Sequence, residues 1–236
     1  MCGRYALFTA PDELEKYFEA IISNAGTIEP NYNVTPGMMM PVVAVGREGI
    51  PVITTFRWGL IPNWAKDPSI GYKMMNARSE TIAEKPSFAM AFERRRCVIP
   101  SNGFYEWQRE GKNRIPHFVR REDDVIMAYA GIYDRWRSPG GGDVFSYSII
   151  TTTANERIRP IHERMPVVLN RQDVRRWLHP QTPRHDLQEL MQPLPVAQTR
   201  VRRVSDAVNK PANNHAGLLE EQDDEPPVGG IIPLGL

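Results

Sequence analysis

The residues best suited to chemistry stand at the start of the chain, where Cys2 follows Met1. Removal of Met1 would leave a free α-amine and a thiol on adjacent carbons, a pair that an internal cysteine cannot offer. An α-amine titrates near pH 7.7–8.0, against about 10.4 for lysine, so much more of it is neutral and nucleophilic at pH 7. It can condense with an aldehyde to a Schiff base, and the thiol can then close a thiazolidine ring. Cys2 therefore suggests aldehyde capture.

Such a reaction needs a group that gives and takes a proton, and Glu106 is a candidate. It lies between Tyr105 and Trp107 in the segment GFYEW. In a strand, alternate side chains share a face, so Glu106 would lie with Phe104 and opposite its two neighbours. Burial among aromatic rings would raise the pKa of Glu106, which suits acid–base work near pH 7. A strand-end glutamate that reaches solvent is the alternative.

Two further polar residues interrupt apolar sequence. Asn76 follows two methionines in KMMNARSET, and His162 precedes a proline-led apolar run in IHERMPVVL. A structural, hydrogen-bonded histidine is the alternative for His162, and we assign that role to His117. Cys97, in RRCVIP, is predicted to be a core strand residue.

The composition is that of a globular protein with a substantial core. The chain has 236 residues, 41% hydrophobic and 24% charged. It has neither a basic and apolar leader nor an apolar run long enough to span a bilayer. Two cysteines make no disulfide framework, and with five histidines they form no recognisable zinc motif. We therefore expect a cytoplasmic protein without membrane, metal or cofactor.

The net charge of +1 conceals an asymmetry along the chain. The acidic, Pro- and Gly-rich segment 218–236 contains five acidic residues and no lysine or arginine. We expect it to be a disordered tail that follows a single domain over residues 1–217. The arginines cluster in ERRRC, ERIRPIHERMP and TRVRR, as phosphate binding requires and as ordinary solvated surface also allows.

The pattern of elements predicts an α+β fold. Short stretches rich in β-branched or aromatic residues predict strands, and three periodic stretches predict helices: 9–23 with Thr9 as its N-cap, 170–179 capped by Asn170, and 182–191. The predicted strands are residues 39–46, 51–59, 95–100, 103–107, 116–120, 125–133, 145–152 and 199–205. Because strands and helices do not alternate regularly, we expect a folded, barrel-like, mostly antiparallel sheet flanked by helices.

The motifs, taken together and in order, resemble the SOS response-associated peptidase (SRAP) family. The matching segments are MCGRY, NYNVTPG, WGLIPNWAK, NARSET, SNGFYEW, IHERMP and VSDAVNK, which extend from residue 2 to about residue 210. The resemblance implies a DNA-damage protein that crosslinks to abasic sites in single-stranded DNA. The link is a thiazolidine formed by the residue after Met1 with the ring-opened deoxyribose. It also implies the barrel-like fold with surrounding helices.

The resemblance also implies roles for individual residues. The family's nucleophile falls on Cys2, and its other active-site residues fall on Asn76, Glu106 and His162. The expected DNA contacts are Arg4, Pro36, Trp64, Arg78, Trp107 and Arg164. Because alternate side chains of a strand share a face, Trp107 is expected on the face opposite Glu106. We further expect a monomer in the bacterial cytosol or nucleoid.

Two rival functions remain open on the sequence. The same residues could serve a cysteine peptidase, with Cys2 attacking a peptide bond and His162 as its base. Self-removal of Met1 would then be an accessory activity. Alternatively, the arginines and tryptophans could bind single-stranded DNA without covalent chemistry, which would leave the cysteine at position 2 unexplained.

Overall fold

The computed structural model describes residues 2–23 and 26–222. Its strands are β1 Tyr5–Leu7, β2 Ile21–Ile22, β3 Asn31–Val34, β4 Met39–Val45, β5 Pro51–Trp58, β6 Asn76–Arg78, β7 Arg96–Ser101, β8 Gly103–Glu110, β9 Asn113–Arg121, β10 Met127–Arg137, β11 Asp143–Thr153, β12 Arg164–Pro166, β13 Val168–Leu169 and β14 Thr199–Arg203. Its α-helices are α1 Pro11–Phe18, α2 Ala89–Arg94, α3 Arg171–Leu178 and α4 Arg184–Glu189. Short 3-10 helices cover Pro68–Lys73, Val196–Gln198, Asp206–Asn209 and Ala216–Leu219.

The strands form two sheets, one of which closes on itself. In that sheet β11, β10, β7, β4 and β5 are neighbours in this order, and β5 pairs again with β11, so the five strands form a ring. The other sheet has the order β14-β9-β8-β1-β3. All pairings are antiparallel except β2 with β5, β5 with β11 and β6 with β11. The predicted α+β class with a barrel-like, mostly antiparallel sheet is confirmed.

Close packing inside the ring explains why its strands are so apolar. Strand β10 is one of the five strands of the ring, and its residues 127–132 are all buried. At Gly131 an added Cβ would collide with the side chain of Ile99 on the neighbouring strand β7. Cys97 faces the same packed region and is fully buried, as predicted for a core strand residue. Close packing of this kind leaves no room for larger side chains.

The first helix is shorter than the sequence pattern predicted. Helix α1 begins after Ala10, not after Thr9. Its last residue, Phe18, is followed by the C-cap residue Glu19, which adopts a left-handed conformation with φ 49°. The apolar residues that extended the predicted helix, Ile21 and Ile22, form β2 instead. They pair in parallel with Val52 and Ile53 of β5, and this non-local ladder replaces the last helical turn.

Helices α3 and α4 are found near their predicted positions, and the packed chain extends further than predicted. Asn170 occupies the N-cap position of α3 as predicted, although its side chain contacts Asp173 and caps no backbone N–H. Helix α4 begins directly after Pro183. The packed chain continues beyond residue 217, because Leu218 is fully buried and Glu221 bridges to Val204. Residues 223–236 of the predicted tail lie outside the described residues.

Two absences concern the described part of the chain. No helix there is long and apolar enough to cross a bilayer. Across residues 2–23 and 26–222, no three His, Cys, Asp or Glu side chains are grouped as ligands of one metal ion would be.

Candidate active site

Cys2 lies between the two sheets, directly before strand β1. It is fully buried and belongs to the main hydrophobic core. The side-chain amide of Asn76 donates a 2.8 Å hydrogen bond to the carbonyl oxygen of Cys2. A second polar link joins the sheets nearby, where the hydroxyl oxygens of Tyr5 and Tyr147 are 2.8 Å apart. The amino-terminal strand is thus fastened to the ring of strands at the candidate nucleophile.

Glu106 lies on β8, the strand that pairs with β1. As predicted from the strand period, Phe104 packs in the same core as Cys2, whereas Tyr105 and Trp107 pack in a separate cluster on the opposite face. The Glu106 side chain is 4% exposed. Burial raises its pKa to about 7, because a carboxylate is destabilised where water is excluded. Glu106 can therefore gain or lose a proton at neutral pH.

The same environment keeps the thiol of Cys2 protonated. Burial raises the pKa of that thiol, and the negative charge of Glu106 raises it further. Its hydrogen-bond contact, to the carbonyl oxygen of Arg4, is long at 4.0 Å. A thiol that attacks as a preformed thiolate needs a lowered pKa instead. Here the thiol can react only together with transfer of its proton to a base.

His162 precedes β12 and is half-buried. Its Nδ1 lies 2.9 Å from the backbone N–H of Arg164 and 3.2 Å from the carbonyl oxygen of Arg164, so it can accept from the first in one tautomer and donate to the second in the other. Burial lowers the pKa of His162. At neutral pH it is therefore an uncharged imidazole.

Strand β11 brings these segments together. It pairs on one side with β6, where Thr151 lies opposite Arg78, and on the other with β12, where Thr153 lies opposite Arg164. Because alternate residues of a strand share a face, Asn76 and Arg78 project to the same side of β6 while Ala77 is buried. The strand register thus places Asn76 and Arg78 along one edge of β11. Strand β12, which follows His162, lies along the other edge.

The predicted DNA contacts divide into exposed and occupied side chains. Trp64 is 57% exposed, Arg78 is exposed and Pro36 is half-exposed. Arg4 is engaged within the protein: its guanidinium donates to Asn33 Oδ1 at 2.7 Å and to the carbonyl oxygen of Val208 at 2.8 Å. It also lies 5.6 Å from the ring centre of Trp107. The Trp107 indole N–H in turn donates to Asn209 at 2.7 Å.

Arg164 is the predicted DNA contact that the structure does not place on the surface. It is 8% exposed, and its guanidinium donates to both carboxylate oxygens of Glu80, at 2.5 and 3.0 Å. It also donates to the carbonyl oxygen of Thr151. These contacts fix β12 against the segment that follows Arg78, and they direct the Arg164 guanidinium toward Glu80 and Thr151.

Some polar residues of the site region gave no functional signal in the sequence. Tyr5 and Tyr147 look like ordinary strand residues, and only the fold brings their hydroxyl groups together. Tyr72, 55% exposed, lies beside the turn at Gly37 with Arg57 5.4 Å from its ring centre. Its position in the loop SIGYK, beside lysine, was the one available hint.

The comparisons with known proteins agree with this arrangement. Residues 1–211 match the model of the family described as SOS response associated peptidase (SRAP). The chain belongs to the SRAP family. The resemblance recognised from the motifs is confirmed.

Several relatives of this SRAP chain have names that state an activity. It is 40% identical over 224 residues to the abasic site processing protein YoqW of Bacillus subtilis, which covers 93% of this chain and 99% of that protein. It is 31% identical over 257 residues to the abasic site processing protein HMCES of Xenopus tropicalis, covering 91% and 76%. A crystal structure of a protein from Bacteroides thetaiotaomicron superposes with a TM-score of 0.86 at 26% identity, covering 94% and 100%.

Proposed function

We propose that this protein acts in DNA repair by forming a covalent crosslink with abasic sites in single-stranded DNA. The amine and thiol of Cys2 would both bond to the aldehyde carbon of the ring-opened deoxyribose. The observation that carries the proposal is the arrangement around Cys2. Its main chain is held by Asn76, and its protonated thiol lies in the field of Glu106, whose pKa is about 7. The names of the relatives support the same substrate.

The first step would be attack of the neutral Cys2 amine on the aldehyde after Met1 has been removed. The amine nitrogen bonds to the carbonyl carbon, and the oxygen then leaves as water to give an imine. Asn76 would orient the amine, since its Oδ1 is buried without a hydrogen-bond partner in the described residues. His162, as a neutral imidazole, would act as acid or hydrogen-bond donor toward the hydroxyl that ring opening releases from the sugar.

The second step would be addition of the Cys2 sulfur to the imine carbon. The thiol must lose its proton as the carbon–sulfur bond forms, because burial keeps it protonated until then. Ionised Glu106 would accept that proton and pass it to the nitrogen, which gains an N–H as the imine double bond becomes a single bond. Overall, amine, thiol and aldehyde would give a thiazolidine and one water, with no change in oxidation state.

A cysteine peptidase is less well supported by the same geometry. Peptidase nucleophiles are thiolates whose pKa is lowered by a cationic partner, whereas burial and Glu106 raise the pKa of Cys2. Removal of Met1 alone remains compatible with the site as a single event. Steady hydrolysis of unrelated peptides by the purified protein would favour the peptidase instead.

The proposal can be tested by separating imine formation from ring closure. Cys2→Ser keeps the α-amine but replaces the thiol by a poorer nucleophile. We expect this variant to give an adduct with abasic single-stranded DNA that borohydride traps and that decays without it. The unmodified protein should give an adduct that survives without borohydride. An equally durable adduct from Cys2→Ser would show that the thiol takes no part in the linkage.

A further inference from the structure

A pocket opens next to the candidate active site. It has a volume of about 510 Å³, and Asn76 and Arg78 form part of its wall. The rest of the wall comes from the segments on either side of β6: Lys73 and Met74 before it, and Lys85, Ser87 and Phe88 after it. The pocket therefore borders the Cys2 site through Asn76, which lines the pocket and donates to the carbonyl oxygen of Cys2.

The charge of this pocket is strongly positive. Lys73, Arg78 and Lys85 all line it, and all are exposed. Within residues 2–23 and 26–222, none of them forms an ion pair with a carboxylate. The acidic residue next to Arg78 in this region, Glu80, is occupied by Arg164. The three cations are thus available to an anion from outside the protein.

The backbone that carries these cations is fixed. The indole N–H of Trp58 donates to the carbonyl oxygen of Met75 at 3.0 Å, and Leu60 donates to that of Met74 at 3.1 Å. On the other side, Phe88 donates to the carbonyl oxygen of Lys85 at 2.9 Å. Long lysine side chains therefore extend from a preformed frame, and binding would order the side chains alone.

We propose that this pocket binds a phosphodiester group of the DNA strand next to the nucleotide that reacts with Cys2. This inference rests on the proposed function and adds Lys73 and Lys85 as substrate-positioning residues. Lysine ammonium groups bind phosphate as point charges, and the Ser87 hydroxyl supplies a further donor. Met74 and the buried Phe88 give an apolar wall against which a sugar can pack. With Arg78 on the phosphate nearest the reacting sugar, the lysines hold the next one along the strand.

Binding can be measured without crosslinking on single-stranded DNA that carries a tetrahydrofuran abasic analogue, which has no aldehyde. The test variant is Lys73→Gln with Lys85→Gln, and the matched control is Lys16→Gln, an exposed lysine of α1 in a different pocket. Each phosphate contact contributes about 0.7 to the salt slope on single strands. Because both lysines hold one phosphate, the unmodified protein should lose about 2.6-fold more affinity than the double variant between 50 and 200 mM salt. The control should match the unmodified protein.

The phosphate can be located by replacing single phosphates with neutral methylphosphonates. Where the replaced phosphate is the one in the pocket, the unmodified protein should weaken while the double variant should not weaken further. Additive losses at every position, or a salt slope equal to that of the unmodified protein, would overturn the proposal. A third outcome would also overturn it: methylphosphonate effects are additive, and inorganic phosphate raises the melting temperature of the unmodified protein but not of the double variant. The pocket would then bind a free anion and not the DNA strand.

Failure of this proposal is distinguishable from failure of the proposed function. If the pocket has no role, the double variant should still form the Cys2 adduct with unchanged salt dependence. If the proposed function is wrong, the unmodified protein should form no adduct at all. Circular dichroism of the double variant checks the fold, and exposed substitutions of this kind change stability by about 0.5 kcal/mol or less.

Discussion

The side-chain amide of Asn76 donates a 2.8 Å hydrogen bond to the carbonyl oxygen of Cys2, across 74 positions of sequence. Asn76 belongs to β6, which pairs with β11 of the ring, whereas Cys2 precedes β1 of the other sheet. This bond determines where the first residues of the chain lie relative to Glu106. Because the reacting amine and thiol both belong to Cys2, a hydrogen bond to its main chain positions both at once.

Replacing Asn76 by aspartate tests this positioning. Asn76→Asp exchanges the amide donor for an oxygen that repels the Cys2 carbonyl. Loss of a buried hydrogen bond of this kind costs about 1–3 kcal/mol, so adduct formation should slow by about 5-fold to 160-fold. The measurement is single-turnover crosslinking to abasic single-stranded DNA. Asn113→Asp, at an exposed position of β9, is the control. Equal rates for the two variants would show that Asn76 does not position Cys2.

The acid–base role of Glu106 predicts a specific pH dependence. Since burial raises its pKa to about 7, the fraction of ionised Glu106 increases through neutral pH. The crosslinking rate should therefore rise with pH and show an inflection near 7. Glu106→Gln should lose that inflection and react more slowly by about 10²–10⁴-fold. Rates are compared between pH 5 and pH 9 at constant ionic strength. A variant that reacts at the parental rate would transfer the acid–base role to His162.

The same burial affects stability. In the unfolded chain Glu106 would titrate near 4.5, whereas in the folded protein its pKa is about 7. Between these pH values the folded state binds more protons, so the free energy of unfolding falls as pH rises. Protonated, buried Glu106 contributes about 3 kcal/mol to the free energy of unfolding; this contribution is present in full below pH 4.5 and absent above pH 7 or so. Urea unfolding at several pH values should show this decline, and Glu106→Gln should lack it. Parallel curves would mean that Glu106 is not buried as described.

Much of the fold follows from sequence patterns that act locally. Strand β4, with its valine-rich sequence, is found where predicted, whereas β10 begins two residues later than predicted and extends to Arg137. The extension of helix α1 was wrong because Ile21 and Ile22 suit a helix as well as a strand. Their pairing with β5 depends on a segment that lies about 30 residues further along the chain. Strands β1 and β6 have three residues each and were missed, since so short a segment carries no periodic signal.

The candidate site was predictable where residue type alone restricts the environment. A glutamate among aromatic residues on a strand has to be either buried or at its end, and Glu106 is buried. Arginine carries no such restriction, because its function depends on its partner. Arg164 is bound to Glu80 and Arg4 to Asn33, whereas Arg78 forms no ion pair among the residues described. These differences arise from contacts between distant segments, which no local pattern contains.

The most direct test of the central claim is intact-mass analysis after incubation with abasic single-stranded DNA. The account predicts a species equal to the chain without Met1 plus the oligonucleotide minus one water, stable without borohydride. Cys2→Ala and a protein with a blocked N-terminus should give none of it. A stable adduct from the blocked protein, or no adduct from the processed one, would contradict the thiazolidine mechanism.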